Sequence, residues 1–358
     1  MNIKSHIKDY SAEIEPDFSF FTELKTKKNS LVVVDRNVFN IYRTILFQDI
    51  DESRLFIMDA AEENKTMETV LQICEKFTLL SAKRNALLIS IGGGIVQDIT
   101  GFAANILYRG IRWIFVPTTL LACCDSCIGS KTSLNYKQFK NLLGTFYPPD
   151  ELYICSKFFN TLTDLDFMSG LGEVVKFNVM SGEAGVDLIE HDIDLLLARD
   201  SDTLNRFVER SLHFKKPYIE KDEFDKGERI NLNFAHTFGH AIESVSGYNI
   251  PHGSAVAIGM LIANRISVTR GYLDAAMAAR IETICRKILT LHIEPGYFQF
   301  ESIINAIRKD KKQINESLTA VLLSNNMNIQ VYHDIHESEI EEAICYVLKQ
   351  LGITPCCR

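Results

Sequence analysis

Nowhere does this 358-residue chain approach eighteen consecutive apolar residues, because its most apolar stretch, Ile111 to Cys124, is interrupted by Arg112, Pro117 and two threonines. No membrane-spanning helix is therefore expected. A basic excess is missing too. The net charge of −8 excludes a broad nucleic-acid or anionic-membrane surface, although not a local cationic pocket. Met1 to Pro16 mixes Lys, Asp and Glu and has no apolar core of a secretory signal, which predicts a cytoplasmic protein. A disulfide framework is not expected either: the nine cysteines, odd in number and irregular in spacing, read as reduced thiols. The single C-x-x-C, Cys124 to Cys127, lacks the second pair that a thiolate metal site needs. What remains, 46% hydrophobic and 23% charged, is a soluble globular composition long enough for two domains.

The first half alternates short apolar runs with helix-length segments. The runs are Leu31 to Val34, Leu55 to Met58, Ala86 to Ile91 and Trp113 to Val116, continuous in Leu, Ile and Val as a parallel sheet covered on both faces requires. From about Leu162 the pattern turns to helical period, in Ser201 to Lys216, Gly253 to Arg270 and Leu273 to Leu291, with Leu318 to Ser324 as one extended run. The expected fold is an α/β nucleotide-binding domain over residues 1–160, followed by a mostly α-helical metal- and substrate-binding domain over 161–358.

Three constellations carry chemistry. The apolar strand ending at Ile91 runs into Gly92-Gly93-Gly94 and a helix-like segment; this is either a tight turn or a loop whose N–H groups meet a pyrophosphate. Further polar groups follow the other strands: Asp35 and Asn37, Glu62 and Lys65, Thr118 and Thr119. His236 and His240, spaced i, i+4, are either packed helix residues or chelators on one helix face. With His252 and Glu173 they offer a carboxylate and imidazoles suited to a catalytic Zn²⁺ or Co²⁺. Third, Arg109, Lys131, Lys140, Lys176, Lys215, Arg229 and Lys312 are cations in an acidic chain; singly they read as solvated surface, together they suit a substrate carrying phosphate and carboxylate.

In order along the chain, Gly92 to Phe102 (GGGIVQDITGF), Val116 to Asn135, Lys140-Asn141, Gly172 to Lys176 (GEVVK), Arg229 to Glu243 (RINLNFAHTFGHAIE), Pro251 to Met260 and Asp310 to Lys312 resemble the sugar phosphate cyclases, and among them most the 3-dehydroquinate synthases. The resemblance spans Leu31 to Leu323. It implies the two-domain fold of that family, a homodimer, NAD as a recycled cofactor and a divalent metal held by Glu173, His236 and His252. It implies that Asp35, Asn37, Glu62, Lys65, Gly93, Gly94, Ile95, Asp98, Thr118, Thr119, Lys131, Lys140, Thr161, Leu162 and Asp166 line the NAD site. Around a small anionic sugar phosphate it implies Lys176, His240, Arg229, Asn233, Lys131, Asp125 and Lys215 as catalytic groups, with Arg109, Lys140, Asn141, Lys312 and Asp225 as further contacts. Arg109 would come from the partner subunit. The sequence departs from the family pattern at Gln97, Ser130, Asp225, Ala235 and Ser254. Retention of Arg229, Asn233 and His240 favours a substrate with a carboxylate, as in dehydroquinate formation. The alternatives are an amino-dehydroquinate synthase, a sedoheptulose 7-phosphate cyclase, or a metal-dependent alcohol dehydrogenase, which would use an aspartate with three histidines.

Overall fold

The computed structural model describes residues 1–80, 83–137, 139–309 and 318–353. They divide into two compact units, Met1–Leu162 with Leu204–Asp225, and Thr163–Thr203 with Lys226–Arg358.

Unit 1 carries β1 (Asn2–Ile3), β2 (Tyr10–Ile14), β3 (Ser30–Asp35), β4 (Leu55–Met58), β5 (Leu87–Gly92), β6 (Arg112–Pro117), a hairpin of β7 (Lys131–Tyr136) and β8 (Phe139–Phe146), and β9 (Glu151–Ile154). Between them run α1 (Phe21–Thr26), α2 (Arg36–Tyr42), α3 (Met67–Leu79) and α4 (Gly94–Ile106). The main sheet has the order β1-β2-β9-β6-β5-β3-β4 and is parallel except where β1 meets β2. Leu31, Val32, Val33 and Val34 are at most 2% exposed, so the unbroken apolar runs mark strands covered on both faces. Since β3 pairs with β4 on one edge and β5 on the other, the strand order reverses there. The carboxyl ends of β3 and β5, where Asp35 and Gly92 sit, flank the crevice in which open α/β sheets bind ligands.

Unit 2 contains α5 (Asp164–Met180), α6 (Glu183–Leu197), the start of α7 (Ser201–Lys221), α8 (His236–Val245), α9 (His252–Thr269), α10 (Ala275–Ile288), α11 (Phe300–Lys309), α12 (Glu337–Gln350) and an antiparallel hairpin of β10 (Leu318–Ser324) and β11 (Asn328–Ile335). Gly253 through Asn264 are all buried, as befits a helix that is apolar on every side. Accordingly α9 packs against α5, α8, α10, α12 and β10.

Residues 204–225 group with the α/β unit, not with the helical half to which a boundary at 160 assigns them. Polar anchors hold them there: the Lys215 ammonium donates to the Asp125 carbonyl at 2.6 Å and to its carboxylate at 2.7 Å, and Ser130 donates to Glu223 at 2.6 Å. Cys345 is disulfide-bonded, against the expectation of nine reduced thiols. Linear spacing does not report which thiols meet in space. Cys74, Cys123, Cys124, Cys127, Cys155 and Cys285 are not disulfide-bonded.

Candidate active-site residues

Helices α5 and α9 meet backbone to backbone. A Cβ on Gly172 would lie 2.1 Å from the Gly253 carbonyl oxygen, and one on Gly253 would lie 1.7 Å from that of Ser169, so glycine is required at both positions. Each glycine adjoins a candidate ligand. The close approach brings Glu173 and His252 together: Glu173 Oε1 is 3.3 Å from His252 Nε2 and 3.4 Å from Nε2 of His236, the first residue of α8. The far nitrogens of both rings are anchored, His236 Nδ1 at 3.0 Å from the Phe234 carbonyl oxygen and His252 Nδ1 at 3.1 Å from Glu243 Oε2. Outward anchoring of this kind fixes a ligating imidazole with its other nitrogen toward the ion. His240 completes the cluster, since ligand atoms of His236, His240 and His252 all lie within 4.8 Å of one another.

Glu173 decides what such a cluster can hold. It is fully buried, and neither carboxylate oxygen takes part in a hydrogen bond. Lys176 Nζ stands 2.6 Å from Oε2, an ion pair without hydrogen-bond geometry, and donates instead to the Leu232 carbonyl at 3.1 Å. Burial works against a charged His252, yet Glu173 and Glu243 outweigh it and push its pKa up to about 10. The spot favours positive charge. A buried carboxylate with oxygen lone pairs to spare, facing imidazole nitrogens, fits a divalent ion of the zinc or cobalt type. Lys176, expected beside substrate, is 1% exposed and lies against the Glu173 carboxylate.

In unit 1, α4 starts at Gly94 with no side chain capping its first turn. A Cβ on Gly94 would meet nothing closer than Ser126 Oγ at 3.6 Å. An uncapped helix start of this kind is where backbone N–H groups, here those of Gly94 and Ile95, could meet a pyrophosphate. Nearby, Lys65 Nζ lies 2.5 Å from Asp98 Oδ2 and donates to Asn141 Oδ1 at 2.6 Å, while Ser133 Oγ is 2.9 Å from Asp98 Oδ2 and 2.8 Å from Asn141 Oδ1. Burial raises the Asp98 carboxyl above its ordinary value, and Lys65 and Ser133 offset part of that. Asn135 joins this network, donating to the Glu62 carbonyl and carboxylate at 3.1 and 2.9 Å, and Lys140 Nζ is 3.8 Å from the same carboxylate. Lys131 pairs with Asp225.

Among the other expected positions, Asp35 caps α2 by accepting from the Asn37 N–H at 3.0 Å. The buried Thr118 donates through its N–H to the Gly92 carbonyl at 2.9 Å, and Thr119 Oγ1 accepts from the Ala122 N–H at 3.1 Å. Thr119 also borders the glycine loop, its Cγ2 lying 3.0 Å from where a Gly93 Cβ would be. Thr161 Oγ1 is 3.0 Å from the Tyr42 hydroxyl; Leu162 closes the first stretch of unit 1, whereas Asp166 belongs to unit 2, where its N–H donates to the N-cap Thr163 at 3.1 Å. Arg229 is buried at 4% exposure, and Asn233 donates to the Ile230 carbonyl at 3.0 Å. Arg109 is exposed on a loop where Tyr108 and Arg109 both have positive φ, 50° and 65°. Lys312 lies outside the described residues. Sequence reasoning missed Glu243, Ser126, Ser133, Asn135 and Glu223. Only Glu243 carried a signal, as the acid closing the HTFGHAIE segment.

Residues 55–169 match the family described as 3-dehydroquinate synthase N-terminal, and residues 170–313 the family described as 3-dehydroquinate synthase C-terminal. The chain belongs to the 3-dehydroquinate synthase family. Among curated relatives, the 3-dehydroquinate synthase of Clostridium tetani is 38% identical over 331 residues, 91% of this chain and 88% of that protein. That of Dictyoglomus thermophilum is 33% identical over 317 residues, 88% of each. Solved structures share the fold. The 2-epi-5-epi-valiolone synthase from Streptomyces hygroscopicus, solved with NAD⁺ and Zn²⁺ bound, gives a TM-score of 0.84 at 23% identity over 95% of this chain and 97% of that one. A probable glycerol dehydrogenase from Sinorhizobium meliloti gives 0.62 at 14% identity over 94% and 95%, so the dehydrogenases share this architecture less closely than the cyclase.

Proposed function

We propose that this member of the 3-dehydroquinate synthase family is itself a 3-dehydroquinate synthase, converting 3-deoxy-arabino-heptulosonate 7-phosphate to 3-dehydroquinate and inorganic phosphate in the shikimate route to aromatic amino acids. The observation that carries the reading is the Glu173, His236, His252 set, with both rings anchored at Nδ1 and a buried carboxylate that accepts no hydrogen bond. When bound, NAD supplies reversible hydride transfer at one substrate carbon, and the divalent metal polarises the oxygen on it.

The chain's own residues do the rest. Glu173, His236 and His252 would hold the ion, while His240 is kept for the substrate and for moving its protons. Arg229 would pair with the C1 carboxylate through a bidentate guanidinium contact. Lys131, Lys140, Asn141 and Lys312 would hold the phosphate, and Lys215 with Asp125 would position the hydroxyl groups. Gly93, Gly94, Ile95 and Asp98 with Lys65 would seat NAD. Because oxidation and reduction cancel, the balance is one substrate consumed and one phosphate released, with no net NADH. The absence of any described helix long and apolar enough to cross a membrane accords with a cytoplasmic enzyme.

The test offers purified protein, with NAD and Zn²⁺ or Co²⁺, the heptulosonate phosphate, sedoheptulose 7-phosphate or glucose 6-phosphate, and follows phosphate and NADH separately. Phosphate from the heptulosonate without accumulating NADH is the expected result. A preference for sedoheptulose 7-phosphate replaces the substrate assignment, and stoichiometric NADH replaces the reaction class. We also propose a homodimer in which Arg109, exposed on its positive-φ loop, completes the partner's phosphate pocket. Mixed dimers of Arg109→Ala and Lys176→Ala chains should then regain activity that both parents lack, because one site in each dimer is intact. If Arg109 serves its own chain, every site keeps one defect and activity stays low.

A further inference from the structure

Gln97 occupies a position where the family resemblance calls for glycine, and its side chain is turned inward, 4% exposed. Both ends of its amide engage one residue. Nε2 donates to the Ser126 carbonyl at 2.7 Å, and Oε1 accepts from the Ser126 hydroxyl at 2.7 Å. Turning the Gln97 amide would break both bonds at once, whereas turning the Ser126 side chain would break only the one its hydroxyl donates.

What the pair joins gives it meaning. Gln97 lies in the opening turns of α4, three residues after Gly94. Ser126 ends the π-helical turn Ala122–Ser126, and its hydroxyl lies 3.6 Å from where a Gly94 Cβ would be, the nearest atom among the described residues outside the glycine's own chain neighbours and helix backbone. The preceding residue, Asp125, takes both hydrogen bonds from Lys215. One serine therefore sits against the glycine loop, the Gln97 amide and the residue that orients Lys215. We propose that Gln97 is a positioning residue, clamping the glycine loop to the turn that carries Asp125 and thereby setting the dinucleotide loop and the Lys215 ammonium relative to each other. This rests on the cyclase reading for its cofactor, but the clamp is a property of this chain's own residues.

The test uses full-length protein carrying Gln97→Met, Gln97→Glu, Ser126→Ala, or Gln97→Met with Ser126→Ala, read by calorimetric titration with NAD, by kcat and KM on the heptulosonate phosphate, and by Tm. Methionine keeps the volume of the buried side chain without its hydrogen bonds, and glutamate sets an acceptor against the Ser126 carbonyl. Each single variant should bind NAD about 5- to 10-fold more weakly and lose a similar factor in kcat/KM, with the double variant no worse than the single ones, because coupled residues are non-additive. Glutamate should be at least as damaging as methionine. The clamp is overturned if Gln97→Met lowers Tm while NAD affinity and kcat/KM stay within about twofold of wild type, or if the two single losses multiply in the double variant. Wild-type protein that takes up no NAD in the same titration sinks the cyclase reading itself, and the clamp with it. That failure is visible without any variant.

Discussion

The charged groups of the two units are arranged on different plans. In unit 1 the candidate cations are matched with acids: Lys65 with Asp98, Lys215 with Asp125, Lys131 with Asp225 and, at longer range, Lys140 with Glu62. In unit 2 the acid is outnumbered: Glu173 faces two imidazole nitrogens and an ammonium and accepts no hydrogen bond from any of them. Paired groups hold one another in place and can trade a partner for an anionic ligand at modest cost. A buried acid facing two imidazoles and an ammonium should work only as a set. Losses in unit 1 should therefore be graded, and losses around Glu173 should be all or none.

The hardest test of that contrast is Glu173→Gln or His252→Ala, each expected to strip the bound metal and to reduce phosphate release by about a thousandfold or more, on the scale of losing a buried catalytic charge. Elemental analysis against wild type checks it, and equal zinc in His252→Ala would break the comparison. His240→Ala sharpens it by keeping the metal while losing turnover. Next, Arg229→Met should cost roughly 2–5 kcal/mol in kcat/KM, the range for removing one partner of a buried charge pair; steady-state kinetics on the heptulosonate phosphate measures this. Lys65→Met is a unit 1 loss and should be milder, weakening NAD by about tenfold, near the 1.5–3 kcal/mol of hydrogen bonds to charged groups at its lower end. Calorimetric titration reads it, and complete loss of NAD binding would show that unit 1 is no more forgiving than unit 2.

The smallest effect concerns stability and pH. Burial alone would raise the Glu223 carboxyl, but hydrogen bonds from Ser130, Ser5 and the His6 N–H outweigh it and hold the group below its ordinary value. A depressed carboxyl contributes stability above its unfolded value, and that contribution fades as pH falls through the folded one. Glu223→Gln should thus lower stability by about 1 kcal/mol near neutrality, with the gap to wild type closing below about pH 4. Thermal melts at pH 7 and pH 3.5 decide it. A gap that stays constant would mean the charge of Glu223 contributes nothing.

The contrast between units also explains what could be read in advance. Strands β3 to β6 announce themselves because a strand covered on both faces must be apolar throughout, and Leu31 to Val34 has no other use for four such residues. The hairpin of β7 and β8 was not anticipated. Much of its surface is exposed or half-buried, from Lys131 through Phe146, so no sharp apolar period marks it. The clustering of His236, His240 and His252 was legible because the i, i+4 pair places two rings on one helix face. Partners such as Ser126 and Ser133 were not, since a serine gains its role from residues that are distant in sequence. The allegiance of α7 was hidden for the same reason: Lys215 and Asp125 are 90 residues apart, and only the folded chain shows that they meet. The place of Lys176 beside Glu173 depends on helical spacing within α5, which composition does not reveal.

The glycine contact between α5 and α9 has a consequence for how this protein would look in a genetic screen. Gly172 and Gly253 have no side chain to offer, yet a single methyl at either would collide with main chain and drive apart the two helices on which Glu173 and His252 ride. If Glu173 and His252 hold the ion as proposed, alleles at these two positions should score beside theirs, inactive and poor in metal, and a map of inactivating substitutions should extend beyond the proposed ligands. A second-site suppressor would have to move a helix, not a side chain, so revertants of Gly172→Ala should be almost entirely true revertants to glycine.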